Sequence, residues 1–237
     1  MDITGKRILC LFAHPDDETF ICGGTLAAYA KRGAGVVVVS ATRGEMGRRM
    51  GKPPKLTRES MPRIREEELR DACRRLGIEA PRFLDIRDKT VEFADAEALH
   101  ERLRGLIRDF APDLVLTFHP ERGGHPDHNA IGRAALAAAA AEAPAAPPVY
   151  FISFGDAALH WAQSDGLEPS FVTRVDVSDG LKEKLRAFRA HRSQTEMDEW
   201  LWKDDQRVLE RFGRFEYFLA SDRASAERAG AWFGNRL

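Results

Sequence analysis

The segment Ala13-His14-Pro15-Asp16-Asp17-Glu18 places one imidazole and three carboxylates directly after the apolar run Arg7-Ile8-Leu9-Cys10-Leu11-Phe12. A His and an Asp three residues apart can both reach one cation, which leaves the intervening Asp16 free for proton transfer. So many ionisable groups against an apolar strand are costly unless metal, hydrogen bonds or solvent satisfy them. The segment therefore reads as half of a metal site. A second cluster, Gly123-Gly124-His125-Pro126-Asp127-His128-Asn129, supplies the other half. Its two His lie three residues apart at the start of a helical pattern and can face one point. A His, Asp, His donor set suits Zn²⁺ and leaves one position open for water, the pattern of a catalytic site. Fe²⁺, Co²⁺ or Mn²⁺ would accept the same donors. Taken singly, each of these residues could equally be a helix cap or a surface group. Two such clusters at two strand ends favour the metal.

The elements that must position these residues follow from the hydrophobic pattern. Strand-length apolar runs fall at 7–12, 35–41, 82–86, 113–118, 149–154 and 171–177, and helical periodicity at 19–32, 61–76, 95–110, 127–142, 180–191 and 197–212. Doubly buried strands alternating with helices imply a largely parallel sheet with right-handed crossovers. The expected fold is a single α/β domain over 1–237, a three-layer Rossmann-like sandwich. Both clusters then lie at the carboxyl ends of strands, where open α/β sheets bind ligands. The Gly- and Arg-rich segment 43–60 follows the second strand and falls on the same sheet edge. Loops of that length in a compact domain are usually functional or disordered.

Composition narrows the classes. The 237 residues are 43% hydrophobic and 31% charged, with a formal net charge of −1. These values suit a soluble globular domain without the basic field that nucleic-acid binding needs. Cys10, Cys22 and Cys73 form no CxxC pair and read as buried free thiols of a reducing compartment. The opening residues lack a signal peptide's apolar stretch, and no run approaches the ~20 apolar residues of a membrane span. The expectation is a cytoplasmic protein with a small-molecule substrate and neither nucleic-acid nor membrane partners. A nucleotide-binding reading is disfavoured because the first strand-to-helix turn lacks G-x-G-x-x-G and carries acidic groups that repel phosphate.

With both clusters in view, the chain resembles the LmbE-like (PIG-L) family of zinc-dependent N-acetylglucosamine deacetylases. The likeness rests on Ala13–Glu18, on His125–His128 and on a late His191-Arg192-Ser193-Gln194. A narrower likeness, through Thr42–Pro53, Arg65-Glu66, Glu68–Cys73 and Arg87–Phe93, is to the bacillithiol-biosynthesis branch, which removes acetate from N-acetylglucosaminyl-malate. Phe118-His119-Pro120 departs from that pattern, where an aromatic is expected in place of His119. The resemblance implies that His14, Asp17 and His128 bind the metal and that Asp16 is the general base for an activated water attacking the acetamide carbonyl. It also implies a homo-oligomer, a trimer or hexamer. His125, one turn from His128, is placed to stabilise the oxyanion, and Asp127 to fix the His125 tautomer. Arg43, Glu45, Arg65 and Asp127 are the candidate substrate contacts, since Arg reads carboxylates bidentately and malate carries two. Glu18 is expected to cap the helix or touch the sugar side of the site. His191 and Gln194 could reach the site or act as caps, and Trp200 and Trp202 suit packing better than sugar stacking. Alternatives within the class are a thiol S-conjugate amidase or a deacetylase of another amino sugar; a metal-free binding module is the rival outside it.

Overall fold

The structure, a computed structural model, describes residues 2–236. Its strands are β1 (Arg7–Phe12), β2 (Gly35–Ser40), β3 (Arg82–Phe83), β4 (Leu114–Thr117), β5 (Val149–Ile152), β6 (Val172–Asp176), β7 (Phe215–Ala220) and β8 (Asn235–Arg236). They form one sheet in the order β3-β2-β1-β4-β5-β7-β6-β8. The first five strands pair in parallel, and β7, β6 and β8 extend the sheet antiparallel. Three-layer α/β architecture is thus observed, with one antiparallel end that the periodicity does not announce. The run behind β7 carries Glu216 as its second residue, which masks a buried strand. That carboxylate is offset by the Lys184 ammonium at 2.6 Å and by the Gly24 and Thr25 N–H groups at 3.0 and 2.8 Å.

The long helices are α1 (Asp17–Ala30), α2 (Met61–Leu76), α3 (Ala96–Phe110), α4 (Pro126–Ala140) and α6 (Leu181–Ala190); α5 (Ala157–Ser164), α7 (Arg192–Thr195), α8 (Asp205–Leu209) and α9 (Arg223–Ala229) are shorter. The helix expected over 197–212 is instead a 3₁₀ turn, Glu199–Trp202, followed by α8. Lys203 is extended, and Asp204 accepts from the Gln206 N–H, so the aspartate opens a new helix where a continuous one was expected. Cys10, Cys22 and Cys73 are buried free thiols. Among the described residues no helix is long and apolar enough to cross a membrane.

What matters for function is the switch point. Chain order runs outward from β1 to β2 and β3 on one side and resumes at β4 on the other. A crevice therefore opens beyond the carboxyl ends of β1 and β4, which pair directly through Ile8–Leu114, Leu9–Val115 and Cys10–Leu116. α4 reaches this crevice by packing tightly over the exit of β4. A Cβ on Gly132 would collide with the Phe118 carbonyl oxygen and stand 3.0 Å from its carbon. Both obstacles are backbone, so Gly132→Ala is expected to destabilise the fold by ~1–3 kcal/mol and to displace the first turn of α4. Chemical denaturation checks the first effect; wild-type stability would contradict the tight seating of this helix.

Candidate active site

His14 lies just past β1, Asp17 is the first residue of α1, and His128 lies in the first turn of α4. The three donor atoms converge. His14 Nδ1 is 3.2 Å from His128 Nε2, His128 Nε2 is 3.3 Å from Asp17 Oδ1, and His14 Nδ1 is 3.8 Å from Asp17 Oδ2. Tetrahedral ligands bound at 2.0–2.2 Å stand roughly 3.3–3.6 Å apart, so these edges are those of one face of a zinc-sized polyhedron. The arrangement forms a group that could hold a metal ion.

Neighbouring groups turn each donor toward that face. His14 Nε2 lies 3.2 Å from Asp88 Oδ1 and 3.3 Å from Asp127 Oδ2, which fixes a proton there and leaves Nδ1 to the site. His128 Nδ1 donates to the Gly123 carbonyl at 2.7 Å, freeing Nε2. Asp17 Oδ2 accepts the Ala13 and His14 N–H groups at 3.2 and 2.8 Å. Such supporting bonds orient metal ligands and set their tautomers. Electrostatics follow the same geometry. Burial disfavours charge on Asp17, yet His128 and His14 hold its carboxyl down at about 2. Burial likewise works against an imidazolium at His14, but Asp127 and Asp88 raise its pKa to about 10.

Asp16 stands beside this face and coordinates with no member of it. Its backbone is left-handed, at φ 110°, a conformation that costs a non-glycine residue ~1–3 kcal/mol and recurs at functional sites. The carboxylate faces a cleft of about 300 Å³ that His14, Asp17, His125 and His128 also line. Arg65 Nη2 donates to Asp16 Oδ2 at 2.8 Å. The same guanidinium donates to the Gly44 carbonyl at 2.7 Å and to the Pro15 carbonyl. Burial pushes the Asp16 carboxyl up to about 6, against the pull of Arg65.

His125 caps α4, its Nδ1 accepting the Asp127 N–H at 3.1 Å. The ring proton therefore sits on Nε2. Burial, and then charge on His14 and His128, lower its pKa, so it meets the cleft as a neutral donor. The tautomer is set by the Asp127 backbone, where the carboxylate was expected to set it. That carboxylate is fully buried. It accepts the Lys89 and Val91 N–H groups at 2.7 and 3.1 Å, so it braces His14 and offers nothing to a substrate.

The other expected contacts are dispersed. Arg43 stacks over the Phe83 ring at 4.5 Å and pairs with Asp85 and Glu66, away from the cleft lining. Glu45 Oε1 accepts the Asp88 N–H at 3.0 Å and so braces the loop beneath His14. Arg65 does line the cleft. His119 Nδ1 accepts the Glu121 and Arg122 N–H groups at 3.1 and 3.2 Å, a turn-forming role. Trp200 packs against Phe188 and Phe212. Asp88 and Lys89 also line the cleft; their only signal in the sequence is membership of Arg87–Phe93.

Comparison with known proteins finds deacetylases among the similar chains. The chain is 39% identical over 195 residues to a probable N-acetyl-alpha-D-glucosaminyl L-malate deacetylase 2 of Bacillus cereus, covering 81% of this chain and 84% of the relative. It is 33% identical to a 1D-myo-inositol 2-acetamido-2-deoxy-alpha-D-glucopyranoside deacetylase of Saccharopolyspora erythraea, over 82% of this chain and 79% of that one. Among solved structures it superposes on the N,N'-diacetylchitobiose deacetylase of Pyrococcus horikoshii with a TM-score of 0.68 and 25% identity, covering 91% of this chain and 83% of the other. The family model for GlcNAc-PI de-N-acetylase matches residues 9–139, a span that begins inside β1 and ends inside α4 and so contains every donor of the convergent group. The chain belongs to the GlcNAc-PI de-N-acetylase (PIG-L) family.

Proposed function

We propose that this chain hydrolyses the acetamide of an N-acetylglucosaminyl glycoside with an anionic aglycone, N-acetylglucosaminyl-malate, giving acetate and a free amine as a step in bacillithiol biosynthesis. The observation that carries this reading is the unligated Asp16 carboxylate set beside three donors spaced for one ion. His14, Asp17 and His128 would hold a zinc ion. Bound there, it lowers the pKa of a coordinated water towards ~7 and polarises the carbonyl.

The remaining work falls to the chain's own residues. Asp16 takes the proton of the attacking water, and Arg65 keeps that carboxyl ionised despite its burial. His125 Nε2–H donates to the oxygen on which negative charge develops, a contribution of the oxyanion-hole kind. Asp16, then carrying the proton, is the acid that returns it to the departing amine. The buried thiols accord with a reducing, cytoplasmic setting.

Lys89 carries the recognition of an anionic aglycone. It is exposed at the rim of the cleft and held at φ 69° by its N–H bond to Asp127. Among the described residues its ammonium has no hydrogen-bond or ion-pair partner. Lys89→Ala is expected to raise KM for the malate glycoside about tenfold, the effect of one charge-assisted bond, and to leave the neutral methyl glycoside unchanged. Equal losses on both substrates would remove Lys89 from aglycone recognition. The function itself is tested by stoichiometry: zinc-reconstituted protein should release one acetate for each new primary amine, and metal-free protein none.

A further inference from the structure

We propose that Glu18 and His191 form a buried positioning pair that holds Asp16 in the backbone conformation its proton transfer requires; this rests on the role assigned to Asp16 above. Asp16 immediately precedes α1, yet its side chain makes no capping bond. An aspartate at a helix start ordinarily turns its carboxylate onto the N–H groups of the first turn. Here that carboxylate is withheld from the helix and faces the cleft, and Glu18 supplies the complementary half of the cap. Its Oε2 reaches back to accept the Asp16 N–H at 3.0 Å, the bond that the third helical residue makes in a capping box, made here from the second.

Glu18 cannot drift from this position. Its Oε1 accepts the Thr19 hydroxyl at 2.5 Å and lies 2.7 Å from His191 Nε2. Both side chains are completely buried, and the Phe20 ring meets the His191 ring edge-on at 6.0 Å. His191 arrives from the far end of the chain, in the turn between α6 and α7, and the residues after it extend the bracket. The Ser193 N–H and Oγ donate to Glu68 of α2, each at 2.6 Å. Gln194 accepts the Arg48 N–H at 2.9 Å and donates to the Arg48 carbonyl at 3.0 Å. One turn thus ties the loop before α1, helix α2 and the segment after β2 around the cleft. Neither Glu18 nor His191 lines that cleft, so the pair acts through Asp16.

Steady-state kinetics of zinc-loaded Glu18→Ala and His191→Gln, each alone and combined with Asp16→Asn, separate positioning from general structural support. With Asp16 present, kcat is expected to fall about tenfold or more while KM and bound zinc stay within about twofold. Glu18→Gln, whose carbonyl can still accept the Asp16 N–H, should recover most of kcat. In the Asp16→Asn background the same substitutions should change the residual kcat by less than about twofold, because a group acting through Asp16 then has nothing to position. Equal losses in both backgrounds, or an unchanged kcat in both single variants, would overturn the pair's role. Should Glu18→Ala not fold, His191→Gln decides by the same comparison, its kcat falling in the wild-type background and staying within about twofold in the Asp16→Asn background. A fully active Asp16→Asn protein would instead overturn the role of Asp16 itself, so the two failures are distinguishable.

Discussion

Asp16→Asn is expected to lower kcat for acetate release by about 10²–10⁴, the usual contribution of a positioned general base, while the protein keeps its metal. The amide matches the carboxylate in shape and can still accept the Arg65 donor, so the cleft, the convergent donors and the fold are preserved. What is lost is the capacity to take a proton. The same residue sets an acid limb in the pH profile. A base must be unprotonated to act, and the Asp16 carboxyl is raised to about 6 by burial against the pull of Arg65. Activity should therefore fall as pH drops through that region, and the charge of a bound cation would move the limb lower. Arg65→Met, which removes a charge favouring the carboxylate, should move the limb to higher pH. Rate profiles of the two metal-loaded proteins check this; an unmoved limb would mean that another group governs it.

His14→Ala is expected to abolish tight metal binding, taking the bound ion from about one per chain to near zero and acetate release to background. The effect exceeds the loss of one donor. His14 Nε2 is also the partner shared by Asp88 and Asp127, and without the ring those buried carboxylates face each other with their counter-charge gone. In the metal-free protein the His14 pKa is raised from its usual value to about 10. A group whose folded pKa lies above its unfolded pKa of ~6.5 stabilises fully below that lower value, and its contribution disappears as pH rises through the upper one. Metal-free wild type should accordingly lose stability between pH 7 and 10 by more than His14→Ala does. The same proton must leave Nδ1 before that nitrogen can bind an ion. Apparent zinc affinity should therefore rise by up to about tenfold per pH unit across this range. Chelator competition at several pH values measures that slope, and a flat response would contradict the assignment of His14.

Local chemistry made the site legible before its surroundings were. The clusters at 13–18 and 125–128 announce themselves because donor residues crowd against strand ends, and parallel pairing of β1 with β4 is enough to bring them together. What the bracing groups bond to leaves no such trace. Glu18 and His191 are far apart in sequence and meet only because α6 packs on α1 and α2. Asp88 sits in an irregular loop without periodicity, and Asp127 looks like a cleft residue until its carboxylate is seen bonded to the Lys89 and Val91 backbone. Arg43 is a similar case: its charge suggested carboxylate recognition, whereas Asp85, Glu66 and the Phe83 ring occupy it. In the fold, β7 is hidden by a buried Glu216 whose partners lie on other elements. The helix expected over 197–212 is interrupted because a local cap at Asp204 outweighs helical periodicity. Short-range signals were readable in these cases, and long-range satisfaction of buried polar groups was not.

The most direct measurement is acetate release by the zinc-loaded protein from three substrates side by side: N-acetylglucosaminyl-malate, the corresponding inositol glycoside and free N-acetylglucosamine. The expected result is acetate from the malate glycoside with a kcat/KM at least about tenfold above either neutral compound, abolished by chelation and restored by zinc. Absence of acetate from all three, or release that persists in the metal-free protein, would contradict hydrolytic deacetylation at the His14, Asp17 and His128 centre.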